Sequence, residues 1–438
     1  MINKIKIYFL REKAIMYSIL GTCWKILFAP ISLYLISLKL TPELQGYYYL
    51  FFSIAGIQQI AEVGFSHTLI QGISHEMSKV NFTQKEFIGE SSSIKEIEET
   101  MRLGFSWYSL LTIISISIVY PIGISIMSDG TDIMNSSWFI PWSFFILFSA
   151  LNLFFYPVNF FLEGIQELEK IYKIRLFIQV ISGFIFTLLL VIDLNLLSII
   201  AVPVSSLIAN YLLLYRPYRN LFHRYMFKLP SKYFISKILG WQLKVGFVWS
   251  SSYLYWQFPT IIIFSILGPS ISGQYSMSSN IINSIMGIGQ VFIKTKSSII
   301  GCLRANGDKL KALSIYKNNA NLSYLIVTFL FIVFFTLWIL FPHFSIFKRM
   351  LPISECAILT FSFGINMITI NQAMYTRCSK KEPFFYLSLF VNIIFPLILY
   401  CLLLIYSNII MVIFAFVSIH IIELIWGNSI FNKVLKEN

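Results

Sequence analysis

The chain is short of charge. Asp, Glu, Lys and Arg make up 12% of its 438 residues, where a soluble domain carries about 25%. Hydrophobic residues make up 57% and mean hydropathy is +0.74, which excludes a water-facing globule. Cysteine is scarce and odd in number: Cys23, Cys302, Cys356, Cys378 and Cys401 are scattered and form no C-x-x-C. That excludes a disulfide or thiolate-metal framework and leaves them as small buried hydrophobes. The five histidines are dispersed, so no metal cluster is expected. There is no Walker phosphate loop, no H-E-x-x-H, no dinucleotide fingerprint and no Ser-His-Asp context. The reading is therefore not an enzyme, and no cofactor is expected. The weak ten-residue alternation of a membrane β-barrel is missing as well.

What is present is a series of continuous apolar runs. A window of about nineteen residues finds twelve, at 14–38, 46–71, 103–127, 138–162, 171–192, 195–215, 241–267, 271–293, 319–341, 353–376, 384–405 and 408–428. The fifth and sixth are divided at Asp193–Leu194, because Asp193 and Asn195 are poor mid-span residues. The first run is longer than a signal-peptide core and lacks a small-residue cleavage pattern, so it reads as a retained span. With the N-terminus inside, 28 of the 33 Lys and Arg fall on inside segments or, as Lys173 and Arg175 do, at the inside end of the fifth span, and three fall outside, while Lys25 and Lys244 lie deeper within spans. Cytoplasmic loops collect Lys and Arg, so this asymmetry supports twelve spans with both termini cytoplasmic. The net charge of +13 then reflects topology and attraction to anionic membrane lipids, and no nucleic-acid partner is expected.

Two inside segments stand apart. Residues 74–100 mix six glutamates with lysines and three consecutive serines, and read as a surface helix or mobile loop. Residues 216–240 are basic without any acid and read as a linker between an N-terminal six-helix lobe, 1–215, and a C-terminal one, 241–438. The lobes open alike. Leu40, Pro42, Gly46 and Tyr48 recur as Leu267, Pro269, Gly273 and Tyr275 at an offset of 227 residues, after spans that each carry an internal proline, Pro30 or Pro259. Six helices per half give both halves one orientation, as in transporters built from parallel repeats.

A charge in hydrocarbon costs about 2.5–3.5 kcal/mol even on insertion scales, so it needs a partner or a wet cavity. At 1.5 Å per residue, Lys25 lies about 16 Å and Glu62 about 15 Å from the cytoplasmic ends of their spans. Two readings stay open: an ion pair closing the first hairpin, or a cavity cation for an anionic headgroup with Glu62 as a titratable partner. Gln58, Gln59 and Ser66 favour a wet face beside Glu62. On the eighth span Ser276, Asn280, Asn283, Gly287, Gln290 and Lys294 share one helix face. That face reads either as interhelical packing or as a cavity wall offering amides to sugar hydroxyls. Lys244 lies near a span end and can snorkel to the interface. His420 and Glu423 near the end of the last span read as interfacial or packed. Trp249, Tyr253, Tyr255 and Trp256 read as an interface belt or as sugar-stacking rings.

The ordered set of Pro42-x-x-x-Gly46-x-Tyr48, Glu62-x-Gly64-Phe65, Leu162-Glu-Gly164-Ile-Gln166 before Tyr172, Gly273-x-Tyr275, Thr295-Lys296, Gly307-Asp308 and Arg377-x-x-Lys380-x-x-Pro383 resembles the Wzx-type polysaccharide flippases. These belong to the multidrug/oligosaccharidyl-lipid/polysaccharide (MOP) exporter superfamily. The resemblance runs over essentially the whole chain. It implies an all-α integral membrane fold of two six-helix lobes, MATE-like and V-shaped, around a central cationic cavity. It implies a substrate, an undecaprenyl-pyrophosphate-linked oligosaccharide such as an O-antigen or lipopolysaccharide unit, flipped across a bacterial inner membrane by alternating access. Polysaccharide assembly proteins are then expected partners, and a coupling ion, H+ or Na+, is left open. The substrate-binding candidates are Lys25, Glu62, Gln59, Lys244, Asn280, Asn283, Gln290 and Lys294. Two alternatives remain: a cation-coupled multidrug exporter of the same superfamily, and a membrane glycan polymerase, which the short outside connections disfavour.

Overall fold

A computed structural model describes the chain except residues 1, 63, 84–85, 129–132, 227, 306, 379–381 and 437–438. It also leaves out the side chains of residues 2–12, 59, 237–245, 247–249, 298 and 305. The described residues form two compact units, Met1–Ser250 and Ser251–Asn438, divided inside a helix.

The first unit begins with α1 (Ile2–Lys39), followed by α2 (Pro42–Ala55), α3 (Ile57–Glu62) and α4 (Phe65–Glu76). Pro42 sits at the first position of α2, where its missing N–H costs nothing, and Thr41 caps the helix by accepting from the Leu44 amide at 3.2 Å. The second apolar run is thus a broken rod rather than one helix. Gly64 has φ +64° at the N-terminus of α4, a conformation in which other residues meet Cβ strain.

Residues 74–100 hold a hairpin rather than a loop alone. β1 (Val80–Thr83) pairs antiparallel with β2 (Glu86–Gly89), Phe82 opposite Phe87. Both rings pack against Phe161, and Phe82 also lies near Tyr218. The glutamates and serines that dominate this segment hid a two-residue apolar anchor.

Next come α5 (Ser91–Ile114), a π-helical turn at Ser115–Val119, α6 (Tyr120–Met127), α7 (Phe139–Gly164) and α8 (Leu168–Val191). The division at residues 193–194 stands: Asp193 and Asn195 both have positive φ, ending α8 before a 3-10 turn and α9 (Ala201–Ala209). A Cβ on Gly123 would lie 2.2 Å from the Trp142 ring, and Trp142 is fully buried. Gly123→Ala is therefore expected to cost about 1–3 kcal/mol by overpacking, read as a lowered midpoint of thermal unfolding in detergent.

The stretch read as a linker is largely helical. It carries α10 (Arg219–Met226), whose Leu221, Phe222 and Tyr225 are buried with Phe105 and Phe161, and the start of α11 (Lys232–Trp256). Buried Glu99 of α5 accepts from the Ser231 amide at 2.6 Å and from Arg102 at 2.6 Å. Removing an acceptor from a buried donor costs about 1–3 kcal/mol. Glu99→Ala is accordingly expected to raise amide exchange at the first turn of α11 before exchange rises elsewhere.

The second unit continues with α12 (Phe258–Leu267), α13 (Pro269–Lys294), α14 (Ser297–Ala305), α15 (Lys309–Leu340), α16 (Ser345–Lys348), α17 (Ile353–Arg377), α18 (Phe385–Tyr406) and α19 (Ile409–Lys436). Pro259, in the first turn of α12, cannot extend the preceding helix, so the seventh run breaks at Gln257. Gly268, at φ +85°, precedes Pro269 at the start of α13, so α2 and α13 both begin on the proline of the repeated turn.

Helices occupy all twelve predicted runs. Among the described residues nine helical stretches are long and apolar enough to cross a membrane. The runs outside that set are the broken second and seventh and the polar eighth. The chain is an all-α, multi-pass membrane protein. Of the cysteines only Cys356 is buried, while Cys23, Cys302 and Cys401 are exposed. Cys23 and Cys401 lie on helices long and apolar enough to cross a membrane, where an exposed face suits lipid, so a small apolar thiol need not be packed inside; Cys302 lies on the short α14.

Candidate functional site

α1 and α8 lie side by side and run in the same direction. Lys13 pairs with Glu169 at 3.9 Å at one end, Trp24 Nε1 donates to the Gln179 carbonyl at 3.1 Å midway, and Lys39 meets Asp193 at 2.8 Å at the other end. Two glycines set the approach. A Cβ on Gly21 would lie 3.0 Å from Gln179 Oε1, and one on Gly183 3.1 Å from the Phe28 ring.

Between these helices is a cavity of about 170 Å³, lined on α1 by Tyr17, Ser18, Gly21, Thr22 and Lys25 and on α8 by Tyr172, Arg175, Leu176 and Gln179. Arg175 Nη2 donates to Glu163 at 2.8 Å, and its guanidinium stands 5.5 Å from the centre of the Tyr172 ring. Gln179 Oε1 is buried and has no hydrogen-bond partner among the described residues. Lys25 is exposed, while its neighbours Ile19, Leu20, Ile26 and Leu27 expose apolar surface. The groove therefore sets two cations, two aliphatic hydroxyls, two phenols and an amide beside a helix face fit for hydrocarbon.

The ion-pair reading of Lys25 and Glu62 does not hold: no such pair occurs among the described residues. Instead the Tyr108 hydroxyl donates to Glu62 Oε1 at 2.7 Å. A phenol across the helix interface supplies the donor that the carboxylate needs, and Lys25 stays in the α1–α8 groove. Arg175 lies close to the start of its span and by sequence reads as one of the inside charges. Its place in the groove depends on which helix packs beside it, and spacing along one helix carries no such signal.

The polar face of α13 does not cross-link helices along its length. Ser276 is buried and meets the Thr260 hydroxyl at 3.2 Å. Asn280 is exposed and donates back to the Ser276 carbonyl at 2.8 Å within its own helix. Asn283 and Gln290 are half-buried and Lys294 is exposed, while a Cβ on Gly287 would meet nothing within 4 Å. The packed face is the neighbouring one, through Tyr275, Ile282, Met286, Gly289 and Ile293. The side chains of Gln59 and Lys244 lie outside the described residues.

A further polar cluster is buried in the second unit. His420 is fully buried on α19; its Nε2 meets the Tyr255 hydroxyl of α11 and its Nδ1 the Ser362 hydroxyl of α17 at 2.6 Å. One turn on, Glu423 accepts from Asn366 Nδ2 at 2.6 Å, with its carboxylate 4.0 Å from His420 Nε2. These residues are packed inside the unit, with His420 fully buried and Glu423 8% exposed. Tyr255 is neither an interface anchor nor free for sugars, as it also packs on Phe395 and Phe416. The His-x-x-Glu spacing on α19 was a legible signal; its partners on α11 and α17 were not.

Neither a protein-family model nor a curated protein sequence matches the chain. Solved structures do. The chain is similar to the inward-facing conformation of a multidrug resistance MATE family transporter of the MOP superfamily, at TM-score 0.65 and 14% identity, covering 96% of this chain and 99% of that one. It is similar to an outward-facing conformation of a transporter so described, at TM-score 0.53 and 14% identity, covering 98% and 97%. It is also similar to a MOP superfamily transporter from Pyrococcus furiosus described as having a binding pocket of reversed polarity, at TM-score 0.53 and 13% identity, covering 97% and 95%. The chain has the fold of these transporters.

Proposed function

We propose that this protein is a MOP-type membrane transporter that works by alternating access, and that its cargo is a lipid-linked oligosaccharide carried on an anionic pyrophosphate. The observation that carries the reading is the α1–α8 groove. Lys25 and Arg175 face one cavity with Ser18, Thr22 and Gln179, directly beside exposed Ile19, Leu20, Ile26 and Leu27. Charge-assisted bonds from Lys and Arg suit phosphate oxygens, and the apolar flank suits a polyprenyl chain.

A second reading, a cation-coupled multidrug exporter, is favoured by Glu62 and Glu423, carboxylates that accept from Tyr108 and Asn366 on neighbouring helices. Purified full-length protein in proteoliposomes separates the two. Fluorescent undecaprenyl-pyrophosphate oligosaccharide is expected to become inaccessible to an outer-leaflet quencher faster than in protein-free vesicles. No acceleration, together with uptake of a cationic dye under a proton or sodium gradient, would establish the exporter instead.

A further inference from the structure

The second unit holds a larger cavity, of about 490 Å³, which lies away from the α13 face and the His420 cluster. It is walled by Arg304 at the end of α14, by Gly307 to Lys311 and Leu313 where α15 begins, and by Tyr375 and Leu435 near the ends of α17 and α19. By the charge asymmetry of the chain this is the cytoplasmic side.

Its chemistry is of one kind. Three cations, Arg304, Lys309 and Lys311, line it against one acid, Asp308, which stands 3.6 Å from Lys311. Arg304 is held rather than loose: Nη1 donates to the Tyr375 carbonyl at 3.1 Å and the guanidinium lies 4.6 Å from the centre of the Tyr375 ring. The first turn of the 32-residue α15 forms part of the wall, and its cap residue, Asp308, pairs with Lys311 but its side chain does not cap the backbone amides of that turn. Helix N-termini carry amides without intrahelical partners and a partial positive charge, which together suit a phosphate. Leu310, 85% exposed, adds apolar surface to the lining, together with half-buried Leu313 and Leu435. A soluble phosphate has no use for that surface, whereas a glycerophospholipid brings acyl chains to it. Basic pockets between helices on the cytoplasmic side are suited to anionic lipid headgroups.

We infer that this pocket binds the phosphate of an anionic phospholipid headgroup, held by Arg304, Lys309, Lys311 and the start of α15. The assignment does not depend on the cargo.

The test uses full-length protein in phosphatidylcholine nanodiscs titrated with phosphatidylglycerol, with bound anionic lipid counted by native mass spectrometry. Lys309→Gln/Lys311→Gln changes two exposed side chains and is expected to weaken phosphatidylglycerol retention roughly tenfold or more, since each Lys or Arg near a membrane surface contributes to anionic-lipid attraction. Lys228→Gln/Lys232→Gln removes the same charge from the other unit and is expected to change it less than about twofold. Arg304→Gln is expected to match the first variant, and the double lysine variant alone decides the matter if Arg304→Gln fails to fold. Equal losses in the two double variants would overturn the site, leaving only a diffuse field. Full displacement of the lipid by millimolar inorganic phosphate would overturn the lipid assignment and make the ligand a soluble phosphate.

Discussion

Lys25→Ala is expected to reduce transport of the lipid-linked oligosaccharide by about ten- to a hundredfold, the range set by losing one charge-assisted contact to a phosphate, with membrane abundance unchanged. The side chain is exposed, so its removal leaves no cavity and strands no partner among the described residues. Lys25→Arg should retain most of the activity, because the groove needs a cation more than an ammonium. Arg175→Ala should also fail, and less cleanly, since it leaves the Glu163 carboxylate without its 2.8 Å partner. The double variant should be little worse than the worse single one, as expected for groups acting on one headgroup. The readouts are quencher accessibility in proteoliposomes and surface polysaccharide in cells. Undiminished polysaccharide in Lys25→Ala cells with normal protein levels would remove this groove from the mechanism.

The second large effect is on stability. Asn366 is 4% and Glu423 8% exposed, and the 2.6 Å bond between them supplies a donor to the carboxylate. Asn366→Leu withdraws that donor. A buried polar group left unsatisfied costs about 1–3 kcal/mol, and a buried charge stripped of its partner about 3–5 kcal/mol. The midpoint of thermal unfolding should fall by several degrees, at roughly 2–4 °C per kcal/mol for a unit of this size. Asn366→Leu/Glu423→Leu should recover part of that loss, because no polar group is then stranded. Additive losses from the two single changes would show that the pair is not coupled. Tyr255→Phe, which removes one partner of His420 and keeps the ring against Phe395 and Phe416, should be milder, at about 1 kcal/mol.

These two sites differ in how far they could be read from the chain. Lys25 stands out because an ionisable residue inside an apolar run is costly wherever the run goes. Its supposed partner was the wrong one. Depth along a helix is computable from residue number, but which way a side chain faces depends on the neighbour, and Glu62 turned to Tyr108. Arg175 was visible as a cation and invisible as a site residue, since helices more than a hundred residues apart in sequence become neighbours only by packing. His420 and Glu423 were visible one turn apart on one helix, while Tyr255, Ser362 and Asn366 come from two others. The hairpin at residues 80–89 escaped for a different reason: strand pairing anchored by two phenylalanines is too short to outweigh the polar residues around it.

Composition and periodicity alone determined the membrane class, the helical fold, the apolar rods and the division at residues 193–194. Each of these follows from local rules: hydrocarbon thickness sets helix length, and every backbone polar group must be satisfied within its own helix. The tertiary structure decided the rest. It drew residues 219–226 into the first unit's core, set Arg175 opposite Lys25, and gave Glu62 and Glu423 their donors, Tyr108 and Asn366. Those outcomes depend on contacts between distant helices, which close packing selects and no local pattern encodes.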